Sequence, residues 1–173
     1  KHKFKNLINK LDKEGYVVIQ DVFSQDKCDE FKKKILNLKK KLKIYPEYKD
    51  YKQGQFILRD LIIRSPETFL NVIDNKIIIK FLNAAFKEKF ILDNIMASNS
   101  EKVKNFSRKR HIDQQLPSPG MKLSTDIVAI ICLDDFTKSN GATIVWPRSH
   151  KSGIKIHKVK KKYNYKSKTL ILK

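Results

Sequence analysis

Arg110-His111-Ile112-Asp113 is the segment whose residue types can do chemistry. On an extended strand, residues two apart point to the same face. His111 and Asp113 would then present an imidazole and a carboxylate side by side. These are two arms of the facial triad that holds Fe(II) in non-haem oxygenases, where open positions remain for a co-substrate and O2. The same pair also suits an ordinary His–Asp hydrogen bond on a surface strand. HxD alone does not decide between the two.

The elements that must position this pair are read from periodicity. Phe4, Leu7, Ile8 and Leu11 recur at helical spacing, with Gly15 as a stop. Residues 16–19 form a short β-branched run and predict a strand. Ser24 is a good N-cap with Asp26 in the first turn. Behind it Cys28, Phe31, Ile35, Leu38 and Leu42 form an amphipathic helix with a Lys-rich outer face. That stripe is too short to favour a coiled coil over core packing. Residues 44–55 read as a polar, aromatic loop. Ser65-Pro66 opens a helix through about residue 73, and a further helix covers 76–86. From Phe90 the period becomes that of strands, at 90–97, 110–113, 125–133 and 142–146, with Asn140-Gly141 as a turn. Residues 151–168 read as a basic loop, and a last strand begins at 169. The expected organisation is one domain over 1–173, helical to about residue 88 and a β core from about 89, an α+β chain that is mainly β in its second half.

Asp134-Asp135-Phe136 leads through Asn140-Gly141 into Ala142-Thr143-Ile144-Val145-Trp146-Pro147-Arg148-Ser149-His150. An HxD motif, a strand, an acidic turn with Asn-Gly, and a strand ending in a PGSH-like tetrapeptide resemble the phytanoyl-CoA dioxygenase family. Gly15-Tyr16-Val17-Val18-Ile19 and Asp21-Val22-Phe23-Ser24 resemble the family's opening, so the resemblance spans nearly the whole chain. It implies a double-stranded β-helix, a cupin-like jelly roll with the N-terminal helices packed outside. It also implies an Fe(II)- and 2-oxoglutarate-dependent oxygenase that uses O2 to hydroxylate a small organic substrate. The iron would rest on His111 and Asp113, turned inward from one barrel strand. Asn99 would touch 2-oxoglutarate, with loop capping the other role open to it.

The sequence departs from the family at two places. Arg148 stands where the family has Gly, at a position whose conformation favours Gly. The family's third iron ligand, a distal His, and the Arg that holds 2-oxoglutarate follow a strand that would begin near Thr169. Neither is in the sequence. The expectation is a fragment whose last strands are missing and which turns over weakly or not at all. His150 matches the family's PGSH histidine, which is not a ligand there, and neither it nor His157 is expected to complete the triad. Gln114 and Gln115 either line the substrate mouth or end a solvated strand.

The formal net charge is +20, from 38 basic and 18 acidic residues. Arg occurs only at 59, 64, 108, 110 and 148, and Lys supplies the rest. Phosphate and base readout favours the Arg fork, whereas Lys is a hydrated point charge. The Lys are spread along the chain, so a solvated cationic surface is favoured over a nucleic-acid groove. The Lys158–Lys162 run reads as a solvated loop. Two other function classes stay open: a non-catalytic jelly-roll binding module, and a nucleic-acid-binding domain favoured by charge alone. The 2 Cys, Cys28 and Cys132, have no CxxC spacing. That excludes a disulfide scaffold and a zinc ribbon and points to a reducing, cytoplasmic setting. Cys132 reads as a buried thiol and Trp146 as core. No apolar run approaches the roughly 18 residues of a membrane span, and no signal peptide is expected. The expected partner is a small-molecule substrate, with neither nucleic acid nor membrane. The oligomeric state is not legible.

Overall fold

The structure is a computed structural model that describes residues 2–42, 55–100, 111, 126–152 and 165–172. The helices follow their sequence signals closely. α1 (His2–Glu14) stops at Gly15, whose φ of +80° carries the chain out of the helix. α2 (Gln25–Leu42) starts behind Ser24, whose hydroxyl oxygen accepts from the Lys27 N–H at 3.4 Å. The Ser24 carbonyl accepts from the Cys28 N–H at 3.0 Å. A short α3 (Leu61–Arg64) precedes α4 (Pro66–Ile73), where Pro occupies the first helical turn and its missing N–H costs nothing. The Ser65 hydroxyl does not cap the backbone of α4; it donates to the Glu67 carboxylate. α5 (Lys76–Phe86) is capped by Asn75, whose Oδ1 accepts from Ile77 N at 2.9 Å and Ile78 N at 3.2 Å. The Asn75 amide also donates to the Val22 carbonyl at 3.1 Å, so one side chain starts a helix and anchors the segment before α2.

The chain is mixed helix and strand. β1 (Gln55–Leu58) pairs antiparallel with β2 (Ala97–Ser100), Phe56 lying opposite Asn99. β3 (Ile144–Val145) pairs antiparallel with β4 (Lys168–Thr169). Among the described residues these two small sheets are not joined into a barrel. Several expected strands need correction. Residues 16–19, 90–96 and 126–133 belong to no strand, and the run at 142–146 narrows to Ile144–Val145. β-branched content favours a pleated, half-buried surface, but a ladder also needs a partner. Val128 and Ile130 are 58% and 60% exposed, so no sheet face covers them. The strand expected from 169 is present as β4 plus a bridge from Leu172 to Phe136.

Contacts divide the chain into two compact units, 1–8 with 18–104 and 9–17 with 105–173. The first holds an aromatic core. Phe31 meets Phe23 edge-on at 5.3 Å and stacks on Phe69 at 6.2 Å. Leu58, Leu61, Phe56, Val72 and Phe81 are buried with them. In the second unit, Ala142 is the buried apolar residue among those described, while Ile144 and Ile171 remain about half exposed.

Two expectations follow. Phe31→Ala removes the ring that both neighbours touch and should destabilise the first unit by about 3–5 kcal/mol, read as a lowered urea midpoint. The second concerns Glu67. The Lys34 ammonium at 2.8 Å, and after it the Ser65 hydroxyl, hold the Glu67 carboxyl down to about 2 from 4.5. A depressed carboxylate stabilises the fold above its unfolded value and loses that contribution as pH falls towards the folded one. Glu67→Gln should therefore flatten the stability profile between about pH 5 and pH 2. The effect should be small and salt-sensitive, because the pair faces water. Thermal melts across that window check it.

Candidate functional site

His111 lies outside regular secondary structure and is exposed. The residues on either side of it, 101–110 and 112–125, lie outside the described residues, and with them the strand expected at 110–113. Asp113, Arg110, Gln114, Gln115 and His157 lie outside the described residues. Asn99 sits on β2, in the first unit, and His111 belongs to the second. Among the described residues no group of three or more His, Cys, Asp or Glu is placed to hold a metal. Of the expected iron donors, the described residues thus contain His111 alone.

The acidic turn and the loop after β3 are well defined. Asn140 Oδ1 accepts from Thr137 N at 2.8 Å, and its amide donates to the Asp135 carbonyl at 2.6 Å. Gly141 follows with a φ of +86°. On either side of this turn the chain pairs with the same partner segment. Phe136 and Leu172 exchange hydrogen bonds of 2.8 and 3.1 Å, and Leu170 N donates to the Thr143 carbonyl at 2.9 Å. The Asn-Gly turn is thus held by its own side chain and delivers residues 143–145 to β4 in register.

After β3, Trp146-Pro147-Arg148-Ser149-His150 turns back onto the end of α1. Arg148 N donates to the Glu14 carbonyl at 2.9 Å, and the Arg148 guanidinium meets Glu14 Oε1 at 3.2 Å. His150 Nε2 lies 2.9 Å from the Asp12 carbonyl, and Lys151 Nζ pairs with Asp12 Oδ2 at 3.0 Å. A carbonyl only accepts, so Nε2 of His150 carries the proton. The other edge of the ring lies over Gly15, where a Cβ would fall 2.9 Å from His150 Cγ.

A family model described as Phytanoyl-CoA dioxygenase (PhyH) matches residues 11–169. The chain belongs to the phytanoyl-CoA dioxygenase family. The match runs through the HxD motif, the Asn-Gly turn and the loop after β3. The family is generally of cupin-like jelly-roll fold and of Fe(II)- and 2-oxoglutarate-dependent oxygenase activity. Comparisons with curated proteins and with solved structures each gave no match.

The family frame gives the Arg148 substitution its meaning. Arg148 has a φ of +69°, so it adopts the left-handed conformation that Gly would take there. A residue with a Cβ adopts it at a cost of about 1–2 kcal/mol. The contacts to Glu14 offset that cost, and the loop keeps its turn without Gly. His150, with Nε2 engaged and Nδ1 packed over Gly15, is not placed as a metal ligand. Sequence reasoning missed the pairing of Asp12 and Glu14 with this loop, because no local pattern links residues so far apart in the chain. Cys132 and Trp146 are half-buried rather than core. Burial, and then the Asp29 carboxylate, push the Cys28 thiol up, which favours its neutral form. Among the described residues no helix is long and apolar enough to cross a membrane.

Arg148→Ala and Arg148→Gly both remove the Glu14 ion pair, but only Ala keeps the left-handed cost. Arg148→Ala should be less stable than Arg148→Gly by about 1 kcal/mol, measured as the difference in urea unfolding free energy.

Proposed function

We propose that this chain is an Fe(II)- and 2-oxoglutarate-dependent oxygenase, built on a jelly roll, that hydroxylates a small organic substrate with O2. The observation that carries the reading is the family match over residues 11–169. Within it His111 and Asp113 supply two of the iron ligands, because they form the family's HxD pair. Bound iron would supply O2 activation. The chain's own contribution is to hold the imidazole and carboxylate together, and Asn99 is the residue that the family resemblance assigns to 2-oxoglutarate. A third ligand is not assigned among these residues. The two thiols, neither of them in a disulfide, fit a reducing, cytoplasmic setting. The substrate is taken to be a small molecule rather than nucleic acid, because the charge is carried by dispersed Lys rather than by Arg.

The exposure of His111 favours a second reading, a family member that binds a ligand without catalysis. Succinate release from 2-oxoglutarate, after anaerobic iron loading and admission of O2, separates the two. The oxygenase reading expects succinate that requires iron, formed slowly because neither a third ligand nor a 2-oxoglutarate-binding Arg is assigned among these residues. His111→Ala should abolish what is formed, since losing a ligand exceeds the roughly 10–100-fold cost of losing a supporting contact. Succinate formation that is the same with and without iron, or the same in His111→Ala, contradicts it. Binding of 2-oxoglutarate that needs neither iron nor His111, with no succinate formed, supports the binding module.

A further inference from the structure

We propose that residues 147–151 form an electrostatic strap that closes on the C-terminal turn of α1 and ties the opening of that turn to the opening of the β3–β4 pair. The inference rests on geometry within the second unit and stands apart from the oxygenase reading. The last carbonyls of a helix have no partner inside it. Here Leu11 is satisfied locally by the Gly15 N–H at 2.7 Å. Asp12 and Glu14 are satisfied instead by His150 and by the Arg148 N–H. The helix is therefore capped by a loop from the far end of the chain.

Charge reinforces the cap. Arg148 and Lys151 bring cations to the negative end of the helix dipole, where each also meets a carboxylate, Glu14 and Asp12 respectively. Lys13 is the like charge in the same turn and opposes them. The pairs are open to water, so the strap is sensitive to ionic strength. The left-handed turn at Arg148 aims its own N–H and the ring of His150 at one helix end. Gly15 is required on the helix side, because a Cβ there would collide with His150. The strap continues into β3 without a break, and the Ser149 N–H donates to the Trp146 carbonyl at 3.1 Å. Opening at one end should thus be felt at the other.

Hydrogen exchange by mass spectrometry on the 173-residue chain tests the coupling. Asp12→Asn removes one ion pair from an exposed site and leaves the backbone intact. It should accelerate exchange about 2- to 5-fold, the worth of one such pair, in peptides covering 9–17 and in those covering 143–152. Gly15→Ala should do so more strongly in both. Raising salt should give the same paired acceleration and shift the emission of Trp146, the chain's single tryptophan. Acceleration in 9–17 with none in 143–152 overturns the strap. Equal acceleration in β1 and β2 also overturns it, because that is general loosening. Should Gly15→Ala fail to fold, Asp12→Asn and the salt series decide alone.

Discussion

The stacking of Phe31 on Phe69, with Phe23 at its edge, is the contact on which the first unit depends. It joins α2 to α4 and holds the segment leading into α2 against both. A fully buried aromatic ring contributes more than any hydrogen bond in the unit. The caps act around it. Ser24 and Asn75 start α2 and α5, and Pro66 opens α4, so each helix begins where its apolar face can reach the stack.

The second unit is held differently. Among its described residues the buried apolar contribution is small, and order comes from hydrogen bonds and charge. The Asn140 side chain closes the acidic turn, residues 170 and 172 pair with 143 and 136, and the loop after β3 is tied to α1. Such contacts are each worth about 0.5–1.5 kcal/mol. Local opening is expected to be easier in a unit of this kind than in one built on an aromatic core.

Helices were legible because their evidence is local. The three-and-four spacing of Phe4 to Leu11 and of Cys28 to Leu42 needs no partner to be read, and the bounds of α5 were legible in the same way. Strands were legible only where the partner was also local in its signal. The Asn140-Gly141 turn and the strand from 169 hold, whereas 16–19 and 126–133 have β composition without a ladder. At the site, His111 and Asp113 were legible as a motif, but a motif carries no information on how far a ring faces solvent. Arg148 illustrates the opposite limit. Its type argues against the conformation it adopts, and the reason lies in Glu14, which no sequence window contains.

Membership of the phytanoyl-CoA dioxygenase family makes the HxD pair the centre of the functional account. Equilibrium titration with Co(II), a spectroscopically visible substitute for Fe(II), tests that pair without requiring turnover. The account predicts binding that weakens by at least about 10-fold in both His111→Ala and Asp113→Asn, with the visible band of the unmutated chain perturbed by 2-oxoglutarate. Binding of equal strength in the unmutated chain and in both variants would contradict it.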